Sequence, residues 1–247
     1  MTDDKKNLNG KANLNQMPER RAVDAAEAQK MAGRCTEYND SRSEKRNFKC
    51  LEITGVKFKD EDLSGIEAHY AKFTDCEFEE CKIAHAEFHF AEFENCVFNN
   101  CDLNNSNFSF AGLGSIRFTN CNLDGIDLPF ANGDFSCEKC MMQGMTAQNA
   151  NLKLRLADCN AYRIEANSAR LAFDVRGCNF RRAEFNESCL KGKIVQTDLT
   201  YAEMNNANLT DLELVDSATR NLETEGAVGF EEMTDGLENL WENEDEE

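Results

Sequence analysis

Cysteine and histidine are the residue types of this sequence whose chemistry is most readily put to use, and their spacing is regular. The chain has 12 cysteines in 247 residues. Six recur every 20 or 19 residues, at Cys81, Cys101, Cys121, Cys140, Cys159 and Cys178, and a second column holds Cys76 and Cys96. Such intervals suit a ladder of small buried thiols, although neighbouring rungs are near enough for disulfides in an oxidising compartment. We expect the thiols to be buried and reduced.

Two further motifs raise the question of a metal site. Cys137-x-x-Cys140 resembles half of a zinc site, but the sequence has no second pair of this kind. His69 and His89 lie 20 residues apart beside acidic residues, which suits a weak metal site, a pH-sensitive patch or an exposed pair without a role. No Ser-His-Asp order, phosphate loop or dinucleotide fingerprint is present. We therefore expect no enzyme activity, no metal and no cofactor.

The cysteine spacing reflects a shorter repeat of five residues. Consecutive blocks read Ala71-Lys-Phe-Thr-Asp, Cys76-Glu-Phe-Glu-Glu and, further on, Cys96-Val-Phe-Asn-Asn. The first position is small or aliphatic, the third is Phe, Leu or Ile, and the rest are mostly polar. A period of five fits neither a helix nor strand alternation. It predicts a chain that turns a corner every five residues, so that four sides close one coil of 20 residues and successive coils stack about 4.8 Å apart.

The blocks resemble those of the pentapeptide-repeat family over about residues 46–216. This resemblance implies an all-β solenoid, a right-handed quadrilateral β-helix, here of about 8–9 coils at sheet spacing. We number the sides by the coil 76–95: side one is 76–80, side two 81–85, side three 86–90 and side four 91–95. The predicted core columns are Phe58, Phe78, Phe98 and Phe118 on side one, and Leu63, Ile83, Leu103 and Leu123 on side two.

The coils shorten from 20 to 19 residues after about residue 131. The sequence assigns the loss to one side, whose four-residue segments begin at Ser136, Arg155, Asp174 and Lys193. The second residues of these segments continue the side-one column, as Cys137, Leu156, Val175 and Ile194. We expect the second half to be narrower on that side, with a change of twist near Ala131.

The chain divides into three regions. Residues 1–45 form a leader, partly disordered, with a helix near 18–34; residues 46–224 form the β-helix; residues 225–247 form an acidic segment. That segment is predicted to cap the rod or to form a homodimer, because apolar residues recur on one helical face, at Phe230, Met233, Leu237, Leu240 and Trp241. The charged start and the absence of a long apolar run predict a cytoplasmic protein without a membrane span.

Charge and aromatic residues single out side three. The net charge of −19 argues against direct nucleic-acid binding. The eight segments of side three contain no Lys or Arg, and their outward second position is acidic at Glu67, Glu87, Asp127, Glu165, Glu184 and Glu203. Their fifth, corner position carries four aromatic residues predicted to face outward, Tyr70, Phe90, Phe110 and Phe130. Either residues 17–45 fold back and cover these aromatics, or a protein partner or second copy binds them.

Two functions compete at this stage. The first is a structural adaptor rod that binds a protein through the aromatic residues. The second is an acidic decoy, because the resemblance extends to the quinolone-resistance and gyrase-interacting type, which mimics DNA on type II topoisomerases. Residues 60–102 hold 12 acidic and 2 basic groups, a density similar to that of DNA. A translocated bacterial effector, with the leader as its export signal, is a further alternative.

Overall fold

The computed structural model describes residues 18–37 and 47–229, which form a parallel β-solenoid of about 8 turns with one short helix. The predicted fold class is confirmed. The strands are β1 (Arg21–Val23), β2 (Leu51–Thr54), β3 (Lys57–Lys59), β4 (Lys72–Thr74), β5 (Glu77–Glu79), β6 (Glu92–Glu94), β7 (Cys96–Asn99), β8 (Gly112–Thr119), β9 (Asn132–Glu138), β10 (Asn151–Ala157), β11 (Arg170–Arg176), β12 (Cys189–Val195) and β13 (Asn208–Val215). Each strand pairs in parallel with its counterpart in the next coil.

Each corner of a coil is made by a residue in the left-handed region. In the second coil the corners are Asp75, Glu80, His85 and Phe90, with φ between 52° and 57°. The first and third residues of each block point inward and are buried, while the second and fourth are more exposed. Between corners the backbone bonds alternately to the coil below and the coil above. The five-residue period therefore follows from one left-handed residue closing each side.

The core consists of columns of like residues. The rings of Phe58, Phe78, Phe98 and Phe118 stack at centroid distances of 4.9, 4.3 and 4.9 Å, and all four side chains are buried. Each stacked pair adds about 0.5–1.5 kcal/mol beyond the apolar area that it buries. The predicted side-one column is confirmed through its continuation, because Phe118 pairs in register with Cys137, and Cys137 with Leu156.

The change of coil length occurs one segment earlier than the sequence predicts. The pairing of β8 with β9 shifts between Leu113 and Ile116, so that Ile116 aligns with Phe135. The block pattern places Phe135 at an outward corner, but its side chain is only 1% exposed. Sides four and one already run together as one strand in β8, which has eight residues. From β9 to β12 this merged strand has seven residues, and Phe135 occupies an inward position in it.

Glycine marks both places where the coil length changes. At the first, Gly133 has φ +126°, and a Cβ atom there would lie 1.9 Å from the carbonyl oxygen of Leu113. At the second, β12 and β13 slip by one residue, and coils of 20 residues return. Gly192 follows this slip with φ +99°, and a Cβ would lie 2.1 Å from the carbonyl oxygen of Phe173. A side chain at either position would collide with backbone that cannot move without breaking the ladder.

The leader joins the solenoid at its first coil. Strand β1 pairs in parallel with β2, and helix α1 (Ala25–Glu37) follows it. Asp24 caps the helix, since its carboxylate accepts the backbone N–H of Glu27 at 2.7 Å. Ala28 and Ala32 are buried in the core cluster. The sequence predicts a helix near 18–34; the structure begins it later because residues 21–23 extend the sheet instead. The predicted C-terminal helix, with Phe230 to Trp241, lies outside the described residues.

We predict that Gly133→Ala lowers the free energy of unfolding by at least about 2 kcal/mol, because the new methyl group meets the Leu113 carbonyl at a backbone angle that disfavours it. Gly112→Ala is the matched control. Its Cβ would lie 3.6 Å from the flexible Glu92 side chain, and its backbone angle is ordinary. Denaturant unfolding followed by circular dichroism measures both. Equal stability of the two variants would show that position 133 tolerates a side chain.

Candidate binding face

Side three carries one continuous column that is mainly acidic. Its second positions pair in register from coil to coil, in the order Glu67, Glu87, Asn107, Asp127, Thr146, Glu165, Glu184, Glu203 and Glu223. We call this set the acidic column. The structure therefore aligns all six acidic residues that the sequence assigned to this face. Glu223 was not assigned to this face from the sequence, because the last coil again has 20 residues. The 20-residue step from Thr197 to Ser217, both at the first position of side two, could have indicated it.

Neutral amides hold the carboxylates of the second half. The side chains of Gln148, Asn167 and Asn186 donate to Glu165, Glu184 and Glu203 of the next coil at 3.2, 3.1 and 3.0 Å. The carboxylates are thus fixed in place without losing their charge. Two of the amide oxygens make a second bond: Asn167 Oδ1 accepts the backbone N–H of Asn186, and Asn186 Oδ1 accepts that of Asn205, each at 2.8 Å.

Within the described part of the chain, one residue of the acidic column forms an ion pair. Lys49 Nζ lies 2.5 Å from a carboxylate oxygen of Glu67. This hydrogen bond lowers the pKa of Glu67 below its ordinary value. The column is therefore partly neutralised at the first coil, while its other carboxylates have no cation within ion-pair distance among the described residues.

The four predicted corner aromatics form a stack, which we call the aromatic edge. The rings of Tyr70, Phe90, Phe110 and Phe130 are stacked at centroid distances of 5.0, 4.8 and 4.8 Å. All four residues have φ between 57° and 61°. They are half-buried against one another, except for Phe130, which is 38% exposed. The aromatic edge runs beside the acidic column along the first four coils.

The described part of the leader reaches the base of the aromatic edge. Arg20 Nε donates to the backbone carbonyl of Tyr70 at 2.8 Å. The two terminal nitrogens of the same guanidinium donate to the two carboxylate oxygens of Glu92 at 2.9 and 3.1 Å. Helix α1 then packs against β2, and Gln29 bonds to the backbone of Lys57. Of residues 17–45, which the sequence predicts to cover the aromatics, residue 17 and residues 38–45 lie outside the described residues.

The histidines belong to this edge. The rings of His69 and His89 lie 6.0 Å apart, and His89 packs against Phe90 at 4.8 Å. Partial burial lowers the pKa of His69, which favours its neutral form. No group of three potential metal ligands occurs among residues 18–37 and 47–229. The pair therefore extends the aromatic edge toward the acidic column.

The cysteine ladder forms as predicted and lies inside the rod. The eleven cysteines from Cys50 to Cys189 are free thiols, and all but these two are buried. The thiols of Cys101 and Cys121 donate to backbone carbonyl groups of the preceding coil, each at 3.4 Å. Burial raises the pKa of Cys137 well above its ordinary value. These contacts give the thiols a packing role in the core.

Comparison with known proteins agrees with the repeat geometry. Residues 71–152 match the family model of the pentapeptide repeat region. The chain therefore contains a pentapeptide repeat region. Two similar solved structures are QnrB1, a plasmid-mediated fluoroquinolone resistance protein, and HetL of the cyanobacterium Nostoc, a pentapeptide-repeat protein involved in heterocyst differentiation regulation. No curated protein matches the sequence.

These likenesses are distant. A trypsin-treated variant of QnrB1 is 18% identical over 74% of this chain and 84% of its own, with a TM-score of 0.35. HetL is 15% identical over 74% of this chain and 88% of its own, with a TM-score of 0.29. Likenesses this distant carry no function over to this chain. No helix in the described ranges is both long and apolar enough to cross a membrane.

We predict that Asn186→Ala lowers the free energy of unfolding by about 1–3 kcal/mol, because it removes the acceptor of the Asn205 N–H and the donor to Glu203. Asn151→Ala is the control, since this exposed residue of β10 makes no side-chain hydrogen bond within the described chain. Its expected change is below about 0.5 kcal/mol. Thermal or denaturant unfolding compares the two, and a neutral Asn186→Ala would contradict a structural role for the amides.

Proposed function

We propose that this protein is a non-enzymatic binding rod that presents side three to a protein partner. The observation that carries the proposal is the aromatic edge, four stacked rings at left-handed corners beside the acidic column. Catalysis is not needed to explain any arrangement on the surface. The free cysteines favour a reducing compartment, so we place the protein in the cytoplasm.

The left-handed corners of the aromatic edge are energetically unfavourable positions for aromatic residues. Bulky residues rarely occupy positive φ, and each such position costs of order 1 kcal/mol or more. In the second half the same edge carries residues better suited to a corner, among them Asn149, Asn206 and Gly226. Stacking among the rings offsets part of this cost. Contact with a partner explains why aromatics occupy four successive corners of the first half.

The surface indicates the chemistry of the partner. Because the rings stack face to face, they present their rims rather than their faces, which favours apolar contact over binding of a cation above a ring. The neighbouring carboxylates attract Lys and Arg. We therefore propose a partner whose contact surface combines an apolar strip with basic residues.

Dimerisation through the C-terminal residues is a separate proposal. It would use the apolar residues that recur at helical spacing, Phe230, Met233, Leu237, Leu240 and Trp241.

The acidic column favours a second candidate, a decoy that mimics DNA on a DNA-handling enzyme such as a type II topoisomerase. Its acidic members occur at most once per coil, about every 4.8 Å, whereas one DNA strand carries a phosphate about every 3.4 Å. Of the 12 acidic residues in 60–102, five are ion-paired, namely Glu67, Glu77, Glu79, Glu92 and Glu94. The charge available to mimic DNA is therefore lower than the sequence count predicts, which places this function second.

We predict that Phe90→Asn combined with Phe110→Asn abolishes capture of a protein partner from host lysate, because it removes the centre of the aromatic edge. Asn adopts positive φ readily, so the corners keep their geometry. Ser168→Asn combined with Glu187→Asn, at the same edge of the second half, is the matched control. Circular dichroism checks the fold of both variants.

A third variant, Glu165→Gln with Glu184→Gln and Glu203→Gln, separates the two candidate functions. The adaptor rod predicts a partner that survives about 0.5 M salt, binds this variant, and is lost only with the aromatic change. The decoy predicts a DNA-binding enzyme that salt releases and that the Gln variant fails to capture. Retention of the partner by the Phe90/Phe110 variant would contradict the adaptor role.

A further inference from the structure

The second half of the rod bears a basic surface, although the protein as a whole is acidic. The outward residues of β10, β11 and β12 include six cations and one carboxylate, Asp174. The cations are Lys153, Arg155, Arg170, Arg176, Lys191 and Lys193. We call this set the basic face. It lies on the long strands in which sides four and one merge.

Most of these cations lack a counter-charge in the described chain. Arg155 pairs with Asp134 of β9 at 3.1 Å, and Lys193 pairs with Glu213 of β13 at 2.8 Å. No carboxylate of residues 18–37 or 47–229 lies within ion-pair distance of Lys153, Arg170, Arg176 or Lys191. All four are exposed. Register brings them together, because Lys153 and Lys191 occupy one column two coils apart, on either side of Ala172.

The strongest concentration of negative charge in the sequence follows the described region directly. Residues 230–247 contain nine acidic and no basic residues, and five of the last six are acidic, Glu242, Glu244, Asp245, Glu246 and Glu247. The chain enters this segment beside the basic face. Val228 pairs with Asn208 at the start of β13, and Gly229 lies against Thr210.

The distances permit contact within one chain. From β13 to β12 is one strand spacing of about 4.8 Å, and from β13 to β10 is three, about 14 Å. Eighteen residues span up to about 60 Å when extended. We propose that the acidic segment 230–247 docks on the basic face of its own chain through ion pairs with Lys153, Arg170, Arg176 and Lys191. This contact would leave side three as the charged surface offered to other molecules.

Zero-length carbodiimide cross-linking of the full chain tests the proposal. The reagent joins carboxylates to amines in ion-pair contact, and mass spectrometry locates the links. At low salt we expect links from residues 231–247 to Lys153, Lys191 and Lys193, and none to Lys82, an exposed lysine of side two. About 0.5 M salt should abolish them, because exposed charges are screened.

An equal mixture of normal and ¹⁵N-labelled protein shows whether the links form within one chain. Links within single chains support the proposal. Links between differently labelled chains would assign the acidic segment to a second copy and overturn it. Absence of links, or equal linking to Lys82, would also overturn it and leave the basic face open to another polyanion.

A charge-reversal variant adds an independent readout. Arg170→Glu combined with Arg176→Glu keeps every lysine available to the reagent and alters outward positions alone, so the core is unchanged. We expect loss of the links to Lys153 and Lys191 in this variant, with the same circular dichroism spectrum as the wild type. Lys82→Glu serves as the control and should leave the links intact. Persistence of the links after reversal of both arginines would contradict ion pairing as their cause.

Discussion

Backbone hydrogen bonding between successive coils is the constraint on which the rest of this structure depends. Glu87 donates to the carbonyl of Ile66 in the coil below, and Phe88 donates to Asn107 in the coil above. Because this ladder is parallel and in register, a residue type repeated along the sequence becomes a column in space. Apolar columns fill the interior of the rod. Polar columns form the outer faces of the rod, and like residues in a column lie about 4.8 Å apart. Each face therefore has its own chemistry.

The same constraint explains how one rod carries surfaces of opposite character. Sides four and one merge into one broad strand surface from β8 to β13, and the coils between the register shifts near Gly133 and Gly192 are one residue shorter. The basic face lies there. Side three keeps its corners through all coils, so its acidic column continues from Glu67 to Glu223. The charge of the whole molecule therefore describes neither surface.

Much of this arrangement could be predicted from spacing alone. A fixed period assigns Phe78 to the core and Glu87 to the surface without further information, and both assignments hold. The position of the lost residue could not be predicted, because it depended on whether Phe135 or its neighbour would be buried. Contacts between coils were also missed. The amide of Asn186 and the pairing of Glu79 with Lys57 and Lys59 depend on side-chain reach, which the repeat does not encode.

Carboxylate footprinting tests most directly whether side three is the working surface of the protein. Purified protein is labelled at its carboxylates with an amine reagent, in buffer and in host lysate, and the extent of labelling is measured for each residue by mass spectrometry. The account predicts that lysate protects Glu87 and Asp127, which lie in the coils of the aromatic edge, while Asp158 and Asp216, at the corner between sides one and two, are labelled equally in both. Protection of all four residues alike, or of none, would contradict it.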